Sequence, residues 1–492
     1  MPTLPMWRVN HIEPSPEMLA LRANGPIHRV RFPSGHEGWW VTGYEEAKAV
    51  LSDSAFRPSG MPSAAFTPAT VILGSPGWLG SHEGSEHARL RAIVAPAFSN
   101  RRVKLLAQRI EAIAAQLFET LAAQPQPADL RHYLSFPLPA MVISALMGVP
   151  YEDHAFFAEL SDEVMTHQHE SGPRSAALLA WEELRTYIRG KMRGKRQDPG
   201  DNLLTDLLAA VDQGKATEEE AIGLAAGILV AGHESTVAQI ELGLLAMFRH
   251  PQQRERLVGD PSLVDKAAEE ILRMYPPGAG WDGIMRYPTT DVTIAGVHIP
   301  AESKVLVGLP ATSFDPRHFD DPEIFDIGRA EKPHLAFSYG PHYCIGEALA
   351  RLELKVVFGS IFQRFPTLRL AVASGELKLR KEIITGGFEE LPVLWRCADT
   401  TGNRDLSAIC RRTYMEACGQ AAFAFSRCGE GWPDHPDTRV PCPTCHVKAG
   451  TWCKRPSGHR AAELHIEHAA IAAGAAQLFP RSAGHSTWVI RA

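Results

Sequence analysis

Cysteine is nearly absent from the first four fifths of this chain. Only Cys344 precedes residue 397, whereas the other seven of the eight cysteines lie between residues 397 and 453. A disulfide framework is unexpected in a reducing compartment, and a lone thiol has no partner for one. The distribution predicts two separate chemistries: an isolated thiol in a large domain, and a cysteine-rich extension.

Targeting and membrane signals are also missing. The N-terminus, MPTLPMWRVNHIEPSPEM, has neither a basic segment nor an apolar run, so no signal peptide is expected. No uninterrupted apolar stretch reaches the roughly 18 residues that a membrane helix needs. A formal net charge of −6 argues against binding of nucleic acid or acidic membranes by the whole chain. The sequence predicts a cytoplasmic protein, long enough to bury a core around a bulky ligand.

Nucleotide-binding loops are missing as well. The stretch Gly278–Gly283 satisfies G-x-G-x-x-G, but a dinucleotide loop must follow a strand and open a helix. This one follows Tyr275-Pro-Pro and leads into an extended segment. No P-loop and no ferredoxin-like cysteine spacing appears elsewhere. The chain is therefore not expected to carry its own nucleotide or iron–sulfur redox centre.

Helical patterns alternate with short strand signals up to about residue 396. The longest helical pattern begins at a capping box, in which Thr217 and Glu220 satisfy each other's free amides. It runs to about His250 and is apolar nearly all round, which is typical of a helix that crosses the interior. We predict a large domain over 1–398, a linker with a helical segment over 399–430, and a cysteine-rich module over 431–492.

The lone cysteine lies in the loop FSYGPHYCIG, directly before a long helical pattern. A buried cysteine often only fills space. Here Gly340 and Gly346 would let a broad, flat group approach the backbone, because they have no side chain. The helix that follows directs its amides toward the sulfur of Cys344, which favours a thiolate. A thiolate in such a loop can be an axial ligand of haem iron, where it assists O–O cleavage.

Phe337, Gly340, His342, Cys344 and Gly346 match F-x-x-G-x-H-x-C-x-G, the haem-binding loop of the cytochrome P450 family. The chain resembles this family over about residues 10–396. The resemblance implies a mostly α fold with small β-sheets and a long central helix over haem b. It also implies that Cys344 binds the haem iron.

An ion pair further supports the resemblance. Glu270 and Arg273, spaced i, i+3, can pair on one helix face. Alone they would indicate a surface salt bridge, but in the family such a pair lies behind the haem. Its usual third partner, an arginine, is replaced by Ile324. Arg329 and Arg317 are the candidates for that place.

Haem propionates need cations when they are buried. His87 and Arg91, four residues apart, match the family's H-x-x-x-R, and Arg286 and His342 stand where further propionate ligands are expected. Each alone could be a surface residue. Together and in this order they are predicted to hold haem.

The segment Ala231–Thr236 interrupts the apolar central helix with an acid and two alcohols. It could be a polar kink in which a serine hydroxyl binds a carbonyl one turn back. It also resembles the family's A-G-x-[DE]-T oxygen-activation site. The resemblance then places Ala231 and Gly232 among the cofactor-binding residues, with Gly232 letting oxygen lie against the helix. It makes Glu234 the acid and Ser235 the alcohol in place of threonine, with Thr236 as a second alcohol.

Electrons must come from another protein, for which the resemblance implies a ferredoxin and its reductase. Basic residues expected on the cysteine side of the haem could attract an acidic donor, although a merely solvated face is equally compatible. They are Arg101, Arg102, Lys104 and Arg351.

The extension carries the remaining metal-binding pattern. Its ligand set resembles small bacterial zinc-binding modules and suits tetrahedral zinc: Cys442, Cys445, Cys453 and His465, with His459 and His468 as rivals for the fourth place. Such a module could contact nucleic acid or protein through Lys448, Lys454, Arg455 and Arg460, or be a small cap that needs metal to fold. Cys397, Cys410, Cys418 and Cys428 have no recognisable spacing.

The predicted function is that of a haem-thiolate monooxygenase. It would use O2 to hydroxylate or oxidatively couple a small hydrophobic or aromatic natural product, for which an indole or a cyclic dipeptide is a guess. The pocket is expected to be built from the segments about 60–85, about 160–175 and 278–285, and Trp281 and Ile284 are expected to face the substrate. The alternatives are a peroxide-using haem enzyme and a haem- or zinc-based regulator that binds nucleic acid through the extension.

Overall fold

The computed structural model describes residues 1–6, 8–9, 12–58, 74–166, 176–277, 283–380 and 383–395, and the short pieces 478–479 and 489–490. The chain divides into two compact units, Met1–Val393 and Leu394–Ala492. In the second unit, the described secondary structure is one antiparallel strand pair. The predicted boundary at residue 398 and the predicted linker 399–430 lie outside the described residues and stay predictions.

The first unit is mostly helical, as predicted. Its α-helices are α1 (Pro16–Ala23), α2 (Tyr44–Ser52), α3 (Gly84–Val94), α4 (Asn100–Ala122), α5 (Pro137–Met147), α6 (His154–Met165), α7 (Ala176–Gln197), α8 (Leu203–Asp212), α9 (Glu218–Ala231), α10 (Glu234–Arg249), α11 (Pro251–Gly259), α12 (Val264–Met274), α13 (Leu309–Thr312) and α14 (Glu347–Arg364).

The strands are short and form small sheets. They are β1 (Arg8–Val9), β2 (Glu13–Pro14), β3 (Ile27–Arg31), β4 (Glu37–Val41), β5 (Phe56–Arg57), β6 (Ala128–Asp129), β7 (Ile284–Pro288), β8 (Val292–Ile294), β9 (Val297–Ile299), β10 (Val305–Val307), β11 (Arg369–Leu370), β12 (Pro392–Leu394), β13 (Leu478–Phe479) and β14 (Val489–Ile490). The largest sheet has the order β3-β4-β10-β7-β5, with β4 and β10 parallel and the other pairs antiparallel.

The central helical pattern begins at the predicted capping box, in which Thr217 Oγ1 accepts from the Glu220 amide and the Glu220 carboxylate accepts from the Thr217 amide. The stretch Glu218–Arg249 is long and apolar enough to cross a membrane, but most of its apolar length is buried inside the protein. It is therefore a core helix. The structure differs from the prediction of one uninterrupted helix, because α9 ends at Ala231 and α10 begins at Glu234.

The loop that carries Cys344 leads into α14, which packs against α4, α10 and α12. Leu354, Val357, Phe358, Ile361 and Phe362 are buried along this helix. The cysteine loop is therefore anchored to a helix with a buried apolar side, and this helix contacts α10 of the broken central helix.

Candidate active site

A cavity of about 660 Å³ lies between the central helix and the cysteine loop. Its walls come from α9 and α10 on one side, and from the loop and the first turns of α14 on the other. The described lining is mostly apolar, with a few polar groups. This size and composition are typical of sites for organic ligands and cofactors.

Cys344 faces this cavity from the end of its loop. Its amide donates to the carbonyl oxygen of Phe337 at 2.9 Å, which fixes the turn. Burial raises the pKa of the Cys344 thiol, whereas the Gly346 amide and the cations of Arg91 and Arg351 act in the opposite direction. The helix-terminus effect that the sequence predicted is present but outweighed by burial. A metal ion bonded to the sulfur would favour the thiolate.

The two loop glycines have different roles. Gly340 has a φ of +74°, and a Cβ there would lie 2.7 Å from the carbonyl oxygen of Leu51. It is needed for the turn and for packing on α2, rather than for a ligand as the sequence interpretation held. A Cβ on Gly346 would meet no described atom within 4 Å, and Gly346 lines the cavity. Only Gly346 therefore leaves room for a flat group.

The four predicted propionate ligands meet beside the cavity. His87 and His342 have ring centroids 4.2 Å apart, and Arg91 and Arg286 line the same wall. Burial, the largest cause, lowers the pKa of both histidines to about 4 and that of Arg286 to about 10. His342 Nε2 lies 3.1 Å from Glu83 Oε1. One carboxylate does not balance this cluster, so it fits an anionic ligand.

Together these residues fit haem. Cys344 offers a soft sulfur donor to iron, Gly346 leaves open space for a flat ring, and the cationic cluster suits two carboxylates. Ala336 and Phe337 add apolar surface to the lining.

The predicted ion pair is buried behind the cysteine loop. Arg273 donates to Glu270 at 2.7 and 2.8 Å, and both side chains are 2% exposed. Arg329 is the third partner, with its Nε 3.1 Å from Glu270 Oε1. The other candidate, Arg317, pairs instead with Asp315 and Glu46.

The break in the central helix faces the cavity. A Cβ on Gly232 would lie 2.6 Å from Ile143 Cδ1 and 2.7 Å from the Ile228 carbonyl oxygen, so no larger residue fits. Ser235 Oγ donates to the carbonyl oxygen of Ala231 at 3.1 Å. Such a bond to the preceding turn bends a helix. Ala231, Gly232, Ser235 and Thr236 all line the cavity, as the sequence interpretation required.

Glu234 does not line the cavity with its neighbours. Among the described residues that line the cavity, Ser235 and Thr236 are present and Glu234 is not. Its side chain is buried between Arg380, at 2.6 Å, and Arg131, at 3.4 Å. Burial acts to raise the pKa of Glu234, but His233, Arg131 and Arg380 outweigh it and lower the pKa. Its role as a proton-relay acid stays a prediction.

The residues that line the substrate side of the cavity were only partly predicted from the sequence. Ile284 lines the cavity as predicted, whereas Trp281 lies outside the described residues. Trp78 and Met165 also line the cavity and fall within the segments about 60–85 and 160–175 that were expected to form the pocket, whereas Thr385 was missed. The first stands in the glycine-flanked stretch SPGWLG, which could have marked a tight approach to the core. Indeed, the ring of Trp78 packs where a Cβ on Gly227 would lie, 2.8 Å away.

The predicted zinc ligands, Cys442, Cys445, Cys453 and His465, all lie outside the described residues. Within the described part of the chain, no cluster of three or more His, Cys, Asp or Glu side chains could hold a metal ion. Of the predicted basic surface, Arg351 is bound to Glu269 at 2.6 Å and Arg102 to Asp201 at 2.5 Å, while Arg101 and Lys104 are exposed.

Family models match two parts of the chain. Residues 18–369 match "Cytochrome P450", and residues 421–484 match "Putative DNA-binding phage zinc finger domain". The second stretch contains all four predicted zinc ligands.

Comparisons with individual proteins support the match to the first family. The chain is 90% identical over 395 residues to the "Cytochrome P450 BJ-1 homolog" of Sinorhizobium fredii, covering 80% of this chain and 99% of the relative. It is 35% identical over 403 residues to the "Pentalenolactone synthase" of Streptomyces exfoliatus, covering 80% and 99%. The crystal structure of CYP105P1 in complex with filipin I superposes with a TM-score of 0.75 at 36% identity, covering 80% and 99%. The chain belongs to the cytochrome P450 family: it is a haem-dependent monooxygenase whose C-terminal extension is similar to a zinc-finger family.

Proposed function

We propose that this monooxygenase hydroxylates, or oxidatively couples, a small hydrophobic natural product in secondary metabolism. The observation that carries the proposal is one largely apolar cavity that is lined by Cys344 from the loop and by Ser235 and Thr236 from the central helix. When bound, haem supplies the chemistry that activates molecular oxygen. The side chains of this chain would hold the haem, shape the cavity and position proton donors.

Each group has a defined task. Cys344 would hold the iron, while His87, Arg91, Arg286 and His342 would hold the propionates. Gly232 keeps the central helix close to the cavity without filling it, since a Cβ there would collide with Ile143. The hydroxyls of Ser235 and Thr236 can orient a proton donor at the cavity surface.

The substrate class follows from the lining. Ile143, Ile228, Met165 and Ile284 offer apolar surface, and Trp78 offers an aromatic wall. Such a surface favours a ligand that buries carbon rather than charge. The names of two relatives support this class, because one is a pentalenolactone synthase and another is described with filipin I bound. An indole or cyclic dipeptide remains one candidate within it.

We further propose that electrons come from a ferredoxin and its reductase, and that the protein works in the cytoplasm. The exposed Arg101 and Lys104, at the start of α4, provide positive charge that would attract an acidic donor. Such charges act mainly on the rate of association, so the dependence should weaken at high salt.

The test is a spectral screen of the haem-loaded protein. Candidate natural products that enter the cavity should displace water from the iron and shift its absorption, and a hit should be converted with ferredoxin, reductase, NADPH and O2. A peroxide-using enzyme would instead convert the hit with hydrogen peroxide alone. Hits without turnover in either system would contradict the proposal.

A second candidate function concerns the extension. We propose that the domain limits are 1–398 for the haem domain, 399–430 for the linker and 431–492 for the zinc module. The match of residues 421–484 to a family described as DNA-binding favours a nucleic-acid contact. Lys448, Lys454, Arg455 and Arg460 supply local positive charge despite the acidic chain.

The full-length protein tests this candidate. Metal analysis should give one zinc per chain beside the haem iron, and Cys442→Ser with Cys445→Ser should lose it. Gel-shift assays should show DNA binding that weakens with salt and disappears in this variant. Zinc without DNA binding would leave the module as a folded cap.

A further inference from the structure

Ser338, in the loop that carries Cys344, adopts a backbone conformation that favours glycine. Its φ is +65°, in the left-handed region where a Cβ crowds the backbone. Three other non-glycine residues of the described chain have a positive φ, and all three are exposed: Ala295, Glu302 and Asp321. Ser338 is only 7% exposed. Among the described residues, it is therefore the one buried side chain that is kept where glycine would be less strained.

The hydroxyl of Ser338 also lacks a partner. Its Oγ is buried and makes no hydrogen bond within the described part of the chain. Ser338 lines the cavity, as Phe337 and Cys344 do, but no hydrogen bond joins its Oγ to the Cys344 sulfur. A buried hydroxyl without a hydrogen bond costs free energy. Glycine would remove both the strain and the unpartnered hydroxyl, so the serine needs a reason that the protein atoms do not supply.

The backbone around Ser338 is fixed from both sides. The Ser338 amide donates to the carbonyl oxygen of Leu335 at 2.8 Å, and the carbonyl oxygen of Phe337 accepts from the Cys344 amide. Two residues after Ser338, Gly340 packs closely on the backbone of α2. A strained conformation persists where its surroundings over-determine it. The Ser338 side chain is therefore held at one place on the cavity wall.

The missing partner must be a group that enters the cavity. Haem has an apolar ring, and its strong hydrogen-bond acceptors are its two propionate carboxylates. Each carboxylate accepts through about four lone-pair positions, so the arginines and histidines already assigned can share it with a further donor. A hydroxyl that donates to a carboxylate makes a charge-assisted hydrogen bond, which is stronger than one between neutral groups. A propionate therefore satisfies the Ser338 hydroxyl better than any other part of haem.

We propose that the Ser338 hydroxyl donates a hydrogen bond to one haem propionate from the cysteine loop. Ser338 is then a haem-binding residue additional to the cationic cluster, and this hydrogen bond offsets the strain at its φ. The inference rests on haem binding in this cavity and not on the proposed substrate or reaction. Haem binding is measured without substrate or turnover, so this inference and the proposed function can fail separately.

Two variants of the haem-loaded full-length protein test the hydroxyl. Ser338→Ala and Ser338→Gly should both bind haem roughly ten- to a hundredfold more weakly than wild type, as expected for loss of a hydrogen bond to a charged group. The rate of haem transfer to apomyoglobin measures this. The glycine variant is decisive, because glycine suits the left-handed φ. Haem transfer at the wild-type rate, or slower, in Ser338→Gly would overturn the proposal.

Two control variants separate the hydroxyl from general effects. Ser144→Ala removes another buried, unpartnered hydroxyl, on α5, that is absent from the described cavity lining. Ala295→Gly relieves a positive φ at an exposed position. Both should transfer haem at the wild-type rate. Faster transfer in either control, equal to that of the Ser338 variants, would overturn the proposal.

The acceptor is identified by spectroscopy and crystallography of the haem-loaded protein. In resonance Raman spectra, the propionate bending bands should shift in both Ser338 variants, and the iron–sulfur stretch should not. The reverse result would mean that the hydroxyl donates to the Cys344 sulfur, and it would overturn the proposal. A crystal structure should show Ser338 Oγ within hydrogen-bond distance of a propionate oxygen. An Oγ bonded only to water, or to Cys344, would contradict the assignment.

Discussion

The hydroxyl of Ser235 donates a hydrogen bond to the carbonyl oxygen of Ala231 across the break between α9 and α10. Both residues line the cavity. The sequence offered two interpretations of this segment, a polar kink and an oxygen-activation site, and the geometry is compatible with both at once. The same hydroxyl bends the helix and stands at the surface where we propose that oxygen is activated.

Removing that hydroxyl should separate the two roles. We expect Ser235→Ala to lower the rate of product formation by roughly a hundredfold, the low end of what a positioned proton-transfer group contributes. More of the consumed NADPH should then appear as hydrogen peroxide. Ser235→Thr, which keeps the hydroxyl, should retain coupling. The measurement is the ratio of peroxide to NADPH with a substrate found in the spectral screen. If Thr236→Val is impaired while Ser235→Ala is not, the neighbouring alcohol is the functional one.

Arg329 should be required for stability. Its Nε contacts both oxygens of the buried Glu270, at 3.1 and 3.2 Å. Arg329→Leu should lower the free energy of unfolding by about 1.5–3 kcal/mol, the range for hydrogen bonds to a charged group. Urea unfolding measures this. As a control, Arg29→Gln breaks an exposed pair with Glu37 and should cost less than about 1 kcal/mol. If the two variants lose the same free energy of unfolding, Arg329 is not part of the buried ion-pair network.

Substitution of Gly346 should weaken haem binding without affecting folding. A Cβ there meets no described protein atom within 4 Å but enters the cavity. Gly346→Ala should therefore fold normally yet bind haem roughly five- to a hundredfold more weakly, since overpacking costs about 1–3 kcal/mol. The ratio of haem to protein absorbance after dialysis against apomyoglobin measures this. The control is Gly359→Ala on α14, where a Cβ would lie 3.4 Å from Val264 Cγ2, so this variant should keep full haem content.

Glu353 should make the fold less stable as the pH rises. Burial raises the pKa of Glu353 well above its usual value, so the folded state retains a proton that the unfolded chain releases above its own pKa, near 4.5. Stability is unaffected by this group below that pH. It then falls by up to about 1.4 kcal/mol per pH unit until the raised pKa of the folded state is reached. Glutamine does not titrate, so the stability of Glu353→Gln relative to wild type should increase above pH 4.5. Urea midpoints across a pH series measure the difference.

Glu269 should give the opposite dependence of stability on pH. Burial acts to raise its pKa, but His334 and Arg351 outweigh it and lower the pKa to about 2. Its stabilising contribution is present above the unfolded pKa and is lost as the pH falls toward 2. Glu269→Gln should therefore lose stability at neutral pH, and the loss should shrink in acid. If the stability difference from wild type does not change with pH for Glu353→Gln or for Glu269→Gln, neither carboxyl has a shifted pKa in the folded state.

Much of the fold and site followed from local patterns. The capping box at Thr217, the helix Val264–Met274 and the cysteine loop are each specified by residues close in sequence. The cationic cluster could be predicted only through the family resemblance, because His87 and Arg286 come from elements far apart in the chain.

The remaining features depend on tertiary packing. The break after Ala231 arises where Gly232 fits against Ile143, which no local pattern encodes. Gly340 was attributed to ligand space, but its neighbour is the backbone of Leu51, almost three hundred residues earlier. Glu353 could have been found, since its spacing from Gly346 puts an acid on an apolar helix face. That its Oε2 has no hydrogen-bond partner among the described residues could not.

The most direct test of the account is the absorption spectrum of the reduced carbon-monoxide complex. A cysteine thiolate bound to haem iron gives a characteristic red-shifted Soret band, so the wild-type protein should show it. In Cys344→His that band should be replaced by one at the shorter wavelength of histidine-bound haem. Persistence of the red-shifted band in Cys344→His, or its absence from wild-type protein that contains haem, would contradict the assignment of Cys344 as the iron ligand.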